Sequence, residues 1–480
     1  MNAFSRFYSS LGLLILLNLL IKPVWIFGID LQVQNIIGTQ AYGNYFALLN
    51  LAIVFSFLTD WGFTIFFNRS ASAMPDVYLN RAGSYAILKI VFAFIYVTVV
   101  FLIAWLSDID DWFIVLMVVL IQVLTSFYLF IRSMITAMQK FKTDAWLSVL
   151  EKFLMILVCG TFIYFPFIAG SITLSRFLSV QVLALSGAVV MALFILISLK
   201  VSLRSIKRDH LNKDLFKSAL PFAMIVFLMA IHHRIDAFLL ERLHPDGNYE
   251  AGMYAAAYRL LDAFLMPGNL VIAFLLPFIA KQHAAKKTFE DVAMNVRHFL
   301  MMVSVGIITL GIILAPWIQN ILYDHDVEYG SVILQLTLLS MGGYTSIQVY
   351  GTILTATGFI RQFVMIIFFA VMLNITLNFF LIPGMGAKGP AMAAIISQNL
   401  CGLYLAFFTT KKLKLSSGVG SIFIYLFSAG IYFIIIMAAG YWNISEWLLI
   451  PCCVIAGLLI VHFTKTPDWR KSMTDLNLPT

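Results

Sequence analysis

Long apolar stretches recur along all 480 residues of this sequence, and they set the strongest limit on what it can fold into. Hydrophobic residues make up 61% of the chain and charged residues only 11%, whereas soluble globular proteins contain about 25% charged residues. The same low polarity excludes disorder, because disordered segments need charge to stay solvated. The 4 cysteines form no CxxC pair, which argues against a disulfide scaffold. The sequence therefore predicts an all-α polytopic membrane protein.

The number of membrane crossings follows from the length that each crossing needs. A helix needs about 20 apolar residues to cross a bilayer core of roughly 30 Å. The first apolar run continues to Ile29 without a small-residue cleavage site, so we predict a span there and not a cleavable signal. Fourteen spans are predicted, over residues 8–29, 43–67, 82–106, 112–136, 145–166, 172–199, 215–241, 251–279, 293–320, 330–356, 361–382, 387–410, 418–440 and 445–464.

The positive charges indicate how the chain is oriented in the membrane. With the N-terminus in the cytoplasm, 23 of the 31 Lys and Arg residues lie in inner segments and three lie outside. Positive residues concentrate on the cytoplasmic side, so both termini are predicted to be cytoplasmic. The net charge of +8 is explained by these short loops, and no basic domain remains that could bind nucleic acid.

Short motifs repeat in the same order after six spans. Residues 42–45 (YGNY) open the second span, and residues 251–254 (AGMY) open the eighth, 209 positions later. Gln181 and Gln398 occupy matching places, 217 positions apart. Parallel repeats of this kind occur in secondary transporters, although chance matching of apolar sequence is the alternative. The predicted organisation is two pseudo-symmetric six-helix bundles, 1–205 and 206–414, with accessory helices 13 and 14 and a cytoplasmic tail over 415–480.

Charged residues inside the spans are the first candidates for function. A charge at the bilayer centre costs about 2.5–3.5 kcal/mol, so it needs a partner, a water-filled cavity or a route to the surface. Lys89, Glu151 and Lys152 lie six or seven residues inside their predicted spans, close enough to reach the cytoplasmic surface. These three are expected to be structural.

Lys22 lies deeper, about fourteen residues into the first predicted span. It is expected either to face a substrate cavity or to pair with Asp60 or Asp30. Asp60 stands at the end of the second span, where a helix-end hydrogen bond would also explain an aspartate. Both aspartates are retained as candidates for a coupling or gating carboxylate.

Two further pairs lie in the seventh and eighth predicted spans. Arg259 and Asp262 are three residues apart on one helix face, so they can pair. The functional interpretation is that Arg259 binds a diphosphate and Asp262 releases it on binding a proton or a cation, because arginine donates bidentate hydrogen bonds to phosphate. The alternative is a structural ion pair. Arg234 is a further candidate cavity cation, and Asp236 a further coupling carboxylate.

Several amides inside the spans are candidates for sugar contacts. Gln181 and Gln398 are the candidates that share a repeat position, and interhelical hydrogen bonds are the alternative for every amide. The full set of intramembrane amides comprises Asn18, Asn50, Gln122, Gln181, Gln348, Asn374, Asn378, Gln398 and Asn399.

The sequence contains no P-loop, no His-Glu-x-x-His motif, no GxSxG motif and no metal-spaced Cys/His cluster, so we predict neither an enzyme nor a bound cofactor or metal.

Three stretches of the chain resemble the polysaccharide flippases of the multidrug/oligosaccharidyl-lipid/polysaccharide (MOP) exporter superfamily. They are residues 40–63 (from QAYGNY to LTDWGF), residues 220–260 (from LP to AGMYAAAYRL), and residues 377–391 (from LNFFLIP to GAKGPA). The related lipid II flippases carry a basic residue beside an acidic one late in the first helix. Here Asp30 matches the acidic position but Ile29 replaces the basic one, which weakens a lipid II assignment.

The resemblance implies a transporter of the bacterial inner membrane. Its implied activity is to flip an undecaprenyl-diphosphate-linked oligosaccharide from the inner to the outer leaflet by alternating access, coupled to H⁺ or Na⁺. The expected partners are this lipid-linked substrate, the coupling ion and membrane lipids. The alternatives are a cation-coupled multidrug exporter, which would need an acidic, aromatic cavity, and a membrane glycan polymerase or ligase, which the short outer loops disfavour. A scaffold without transport fits least well, because buried charge is costly.

Overall fold

The computed structural model describes residues 3–64, 82–199, 213–416, 419–441 and 445–463. In these ranges the secondary structure is helical and no strand occurs. A π-helical turn, Ile26–Asp30, and a 3₁₀ turn, Ser56–Thr59, extend two of the α-helices. The α-helices are α1 (Ala3–Trp25), α2 (Leu31–Ile37), α3 (Thr39–Phe55), α4 (Ala82–Leu106), α5 (Trp112–Ala137), α6 (Phe141–Tyr164), α7 (Pro166–Ala169), α8 (Leu174–Ser198), α9 (Lys213–Leu243), α10 (Gly247–Ala284), α11 (Glu290–Leu322), α12 (Val327–Leu339), α13 (Met341–Ala356), α14 (Ile360–Met385), α15 (Lys388–Leu413), α16 (Val419–Tyr441) and α17 (Glu446–Phe463).

The helices have the length and polarity that membrane crossing requires. Within the described ranges, 13 helical segments are long and apolar enough to span a bilayer, and they coincide with the first thirteen predicted spans. In α17 the apolar stretch Trp447–Gly457 is shorter. Large apolar side chains point outward, and Phe380 is 79% exposed. An outer surface of this kind needs lipid around it, and the prediction of an all-α polytopic membrane protein is confirmed.

The first span continues beyond its predicted end at residue 29. After α1 the chain makes the π-helical turn and continues as α2 to Ile37. Pro23 lacks a backbone N–H, and a π-turn is a common irregularity within a long helix. Asp30 follows the predicted end of the span, and its carboxylate is buried and accepts a hydrogen bond from the Tyr42 hydroxyl at 3.1 Å.

The second span ends earlier than predicted. Regular helix stops at Thr59, although the apolar pattern predicted helix to residue 67. The chain then takes left-handed backbone angles at Trp61 (φ 46°) and Gly62 (φ 74°). Gly62 has no Cβ to oppose that conformation. Asp60 stabilises the turn by accepting a hydrogen bond from the Thr64 amide at 3.0 Å.

The chain divides into two compact units, Met1–Gly252 and Met253–Thr480. In the first unit α3 packs along α9, and α8 packs along both α5 and α6. Leu17 of α1 packs against Ala145 and Val149 of α6 in a small apolar core. The predicted boundary at 205/206 falls in 200–212, outside the described residues, and the six-helix duplication stays a prediction.

Within the first unit, α3 crosses the first turns of α10, up to Gly252, at glycines. A Cβ added at Gly43 of α3 would overlap the backbone of Asn248 and Gly252 in the first turns of α10. A Cβ added at Gly252 would likewise overlap the backbone of Thr39. The Gln34 side chain donates a hydrogen bond to the Gly252 carbonyl at 3.0 Å. A glycine on each helix therefore brings the two backbones into contact, as small residues do at many transmembrane helix crossings.

In the second unit, the accessory helices α16 and α17 pack on α11. Leu314 of α11 contacts an apolar core that includes Tyr432 of α16 and Leu449 of α17. The rings of Trp317 and Trp447 meet edge to face with centroids 4.9 Å apart. Elsewhere in the unit, α15 packs along α13 and α14.

Candidate functional site

The three predicted substrate-binding cations are partly buried within helices. Lys22 lies in α1, Arg234 in α9 and Arg259 in α10, and each is half-buried. Lys22 and Arg234 belong to the first unit, and Arg259 belongs to the second. Their convergence on one cavity stays a prediction.

Lys22 has other charged side chains around it. It interacts electrostatically with Lys152, Arg132 and Glu151. The Lys152 ammonium lies 2.8 Å from the Glu151 carboxylate and 4.6 Å from the centre of the Trp25 ring. Lys22 precedes Trp25 by three residues, which places both on one face of α1.

Glu151 and Lys152 lie deeper than the sequence predicted. Helix α6 begins at Phe141 and not at residue 145, so Lys152 lies about 16 Å along the helix from its first residue. Their side chains are only 20% and 24% exposed. Instead of extending separately to the membrane surface, as expected, they form an ion pair with each other.

Asp60 forms a buried ion pair with Lys89, which the sequence analysis missed. The Lys89 ammonium contacts the Asp60 carboxylate, donates a hydrogen bond to the Ser126 hydroxyl at 2.8 Å, and lies 5.3 Å from the centre of the Phe130 ring. The Lys89 side chain is 1% exposed. The expectation that Lys89 reaches the cytoplasmic surface is wrong, because this pair holds its charge between α3, α4 and α5.

Both aspartates that the sequence offered as partners of Lys22 make other contacts in the structure. Asp60 is occupied by Lys89, and Asp30 accepts the hydrogen bond from Tyr42. Asp30 lies eight residues beyond Lys22, about 12 Å along the helix. Lys22 lies within electrostatic range of charged residues on α5 and α6, and its partner stays a prediction.

Arg259 is the first partly exposed residue after a buried segment of α10. The residues from Ala251 to Tyr258 are buried, and the Tyr258 hydroxyl lies 3.2 Å from that of Tyr344 on α13. Arg259 and Asp262 are the half-buried charges one turn apart in this stretch of α10. Most residues of the motif AGMYAAAYRL therefore serve helix packing, and the arginine side chain is partly exposed. The pairing of Arg259 with Asp262 stays a prediction.

The remaining candidates are buried. Asp236 in α9 is 1% exposed, and Gln181 and Gln398 are buried as well. Other amides make hydrogen bonds between helices, as Asn18 does with Ser148 at 2.9 Å and Asn374 with Ser397 at 3.4 Å. These two contacts follow the structural alternative for the amides. A sugar contact for Gln181 or Gln398 stays a prediction that requires a helix to move.

Solved structures of transporters share this fold. The chain is similar to the lipid II flippase MurJ in an inward closed conformation, with a TM-score of 0.59 and 15% identity over 90% of this chain and 99% of that chain. It is similar to an inward-facing multidrug resistance MATE family transporter of the MOP superfamily, with a TM-score of 0.60 and 11% identity over 86% and 98% of the two chains. A MOP superfamily transporter from Pyrococcus furiosus gives a TM-score of 0.60 at 11% identity, over 86% and 95%. At such low identity, these likenesses establish the fold alone.

The described helices define a multispanning membrane protein that shares the fold of these transporters. No curated protein sequence matches the chain. Residues 9–283 match the family described as polysaccharide biosynthesis protein. This match covers more than half of the sequence, and the chain belongs to that family.

Proposed function

We propose that this protein moves an undecaprenyl-diphosphate-linked oligosaccharide from the inner to the outer leaflet by alternating access. The family supports a role in polysaccharide synthesis, and a solved structure of similar fold is a lipid II flippase. A lipid-linked sugar carries an anionic diphosphate between its lipid and sugar parts. The polar headgroup therefore needs a path with cations inside the protein, while the prenyl chain can remain in the bilayer.

The observation that carries the proposal is the half-buried Arg259 in the interior of an apolar helix. It lies twelve residues after the first residue of α10, about 18 Å along the helix axis. A charge at such depth is costly, so it needs a partner, a water-filled path or an anion that reaches it. Arg259 has the geometry to hold phosphate oxygens through paired hydrogen bonds.

The energy source in this proposal is an H⁺ or Na⁺ gradient acting on carboxylates. Asp262 is the first candidate, because it lies one turn from Arg259 on the same helix face. When Asp262 binds a proton or a cation, it stops competing for Arg259, which changes the affinity for the diphosphate. Asp236, Asp60 and Asp30 are the other candidates, and of these Asp60 is neutralised by Lys89.

Arg259→Ala should slow flipping at least tenfold in proteoliposomes that contain a fluorescent lipid-linked oligosaccharide. The reason is that hydrogen bonds to a charged group contribute about 1.5–3 kcal/mol, or roughly 10–100-fold. Asp262→Asn should remove the dependence of the rate on the imposed ion gradient. The measurement is the fraction of substrate that an added enzyme can reach on the outer side of the vesicle, followed over time.

Arg361→Ala is the matched control, because Arg361 is an exposed arginine at the start of α14. It should leave the rate unchanged. Full activity of both Arg259→Ala and Asp262→Asn would remove these residues from the mechanism. Export of organic cations by the wild-type protein, with no movement of the lipid-linked sugar, would replace the proposal with a multidrug exporter.

A further inference from the structure

We propose that Asn269 of α10 and Gln348 of α13 form a binding site for sugar hydroxyls, which selects the glycan part of a lipid-linked oligosaccharide. This inference rests on the proposed function, since it names a site for the part of the same substrate that lies beyond the diphosphate. Gln348 is one of the amides that the sequence offered as sugar contacts, and the structure adds Asn269 as its partner.

A hydrogen bond joins the two side chains across the helices. The Gln348 Nε2 group donates to the Asn269 Oδ1 atom at 2.7 Å. Gln348 also lies close to the backbone of α10, since a Cβ added at Gly268 would be 3.3 Å from its Oε1 atom. Gly268 follows Pro267, which has no N–H for a helical hydrogen bond. Interruptions of this kind in transmembrane helices often mark the substrate sites of transporters.

The pair lies deep within the membrane-spanning part of α10. Asn269 comes 22 residues after Gly247 and 15 residues before Ala284, about 33 and 22 Å along the helix from its two ends. Asn269 is exposed and Gln348 is half-buried. An exposed amide in hydrocarbon is costly, because hydrocarbon neither donates nor accepts hydrogen bonds. The position therefore requires water or a polar ligand.

The exposed surface of this stretch differs from a surface that contacts lipid. Between residues 259 and 272, all of which the structure describes, the exposed side chains are those of Pro267 and Asn269. Helix α14 instead exposes large apolar side chains such as Phe369, which is 67% exposed, as contact with lipid requires. The side of α10 that carries Asn269 therefore borders a polar space.

Asn269 continues the side of α10 that carries the proposed headgroup residues. Along this helix Asp262, Met266 and Asn269 are four and three residues apart, a spacing that places them on one side. Arg259 precedes Asp262 by three residues, and Asn269 lies about 15 Å beyond Arg259 along the helix. A substrate whose diphosphate contacts Arg259 can therefore extend its sugars along α10 to the amide pair.

The hydrogen-bonding capacity of the pair suits sugar hydroxyls. The Asn269 Nδ2 group and the Gln348 Oε1 atom make no hydrogen bond to any other residue that the structure describes. Because the two amides are joined, they hold a donor and an acceptor near each other, and a hydroxyl both donates and accepts. Neither amide is charged, so the pair does not compete with Arg259 for the diphosphate. Two neighbouring hydroxyls of a sugar ring can replace water at both groups.

The buried amides of α14 show the contrast. Asn374 and Asn378 are both 0% exposed, and the Asn378 side chain donates to the Asn374 Oδ1 atom at 3.2 Å. A ligand could reach that pair only if helices separated. The bond between Asn269 and Gln348 also joins two helices, but Asn269 is exposed beside it.

Lipid binding by the purified full-length protein in phosphatidylcholine nanodiscs tests the site. The probes are undecaprenyl diphosphate and the undecaprenyl-diphosphate-linked oligosaccharide extracted from cells depleted of this protein. The wild-type protein should bind the glycosylated lipid more tightly, and the ratio of the two dissociation constants measures the contribution of the sugar. Asn269→Leu and Gln348→Met should each reduce this ratio about two- to tenfold, the effect of one neutral hydrogen bond. Both variants should keep the wild-type affinity for undecaprenyl diphosphate.

A purely structural role for the pair predicts a different result. Loss of an interhelical bond alone would weaken the binding of both lipids by the same factor, and that outcome overturns the site. Gln282→Leu, at a half-buried amide two residues before the end of α10, is the matched control and should keep the wild-type ratio. If Asn269→Leu does not fold, Asn269→Ala removes the same amide without adding volume and should reduce the ratio in the same way.

The remaining outcomes separate the sugar from other sources of hydroxyls and from the proposed function. Phosphatidylglycerol also has two neighbouring hydroxyls, and it should not displace the glycosylated lipid. Displacement that Asn269→Leu abolishes would overturn the sugar assignment. An unchanged ratio in both variants, in a protein that flips lipid-linked oligosaccharide, overturns this site alone. A wild-type protein that shows the expected ratios but flips no substrate overturns the proposed function and supports the site.

Discussion

Lys89→Met should lower the free energy of unfolding by about 3–5 kcal/mol, because it leaves the Asp60 carboxylate without the ammonium that neutralises it. The Asp60 side chain is 22% exposed and lies at the end of α3, where water can only partly solvate it. The Ser126 hydroxyl also loses its hydrogen bond from Lys89. Methionine fills a similar volume, so most of the effect comes from charge and not from a cavity.

Reversible unfolding in detergent micelles, followed by circular dichroism against denaturant concentration, measures this change. The double variant Asp60→Asn/Lys89→Met should regain most of the lost stability, since neither residue then leaves a buried charge. Lys142→Met at an exposed position is the control and should change stability by less than about 0.5 kcal/mol. If Lys89→Met is as stable as the control, the ion pair of Asp60 and Lys89 is not buried in the membrane-embedded protein.

The same double variant separates two roles of Asp60. If the pair is structural, the stable Asp60→Asn/Lys89→Met protein should flip substrate at the wild-type rate. If Asp60 is a coupling carboxylate, the variant should flip without any dependence on the ion gradient. The readout is the ratio of the rates with and without an imposed gradient in proteoliposomes.

The sequence was sufficient to predict the helices, because the cost of unpaired backbone groups in lipid forces each long apolar stretch into a helix. It located thirteen spans that the structure contains. It was less successful at the helix ends. The π-turn lets the first span continue past Asp30, and the left-handed turn at Trp61 and Gly62 stops the second. Both helix ends depend on local backbone geometry, which cannot be read from a hydropathy pattern.

The site could be predicted in part, for a physical reason. Because burying a charge is costly, every cation in a predicted span, including Lys22 and Arg259, could be identified as a candidate. The sequence does not indicate which residues are their partners. Lys89 was placed near the surface because depth was counted from a helix end, whereas its ammonium contacts a carboxylate on the adjacent helix. One signal was present in the sequence: Asp60 and Lys89 lie toward the same predicted side of two antiparallel neighbouring spans. Trp25 gave no such signal, since an indole that fixes a lysine looks like any core aromatic residue.

Gly43→Val should destabilise the protein by about 3 kcal/mol or more, at the upper end of the range for overpacked sites. The added side chain would overlap the backbone of Asn248 and Gly252, and a backbone cannot rotate away as a side chain can. The first turns of α10 would have to move from α3, which would also weaken the hydrogen bond from Gln34 to the Gly252 carbonyl.

The position of this crossing gives the substitution a functional consequence as well. Beyond these first turns, α10 carries Arg259 and Asp262, so a displacement of the start of α10 should also move the proposed headgroup-binding residues. Gly43→Val should therefore reduce flipping by at least tenfold in the fraction of protein that remains folded, measured in proteoliposomes after size-exclusion chromatography. Gly384→Ala is the control: a Cβ there meets no atom within 4 Å, and alanine in place of a helical glycine should be neutral or stabilising by up to about 1 kcal/mol. Wild-type stability and wild-type flipping in Gly43→Val would mean that α3 and α10 do not meet at these residues in the membrane.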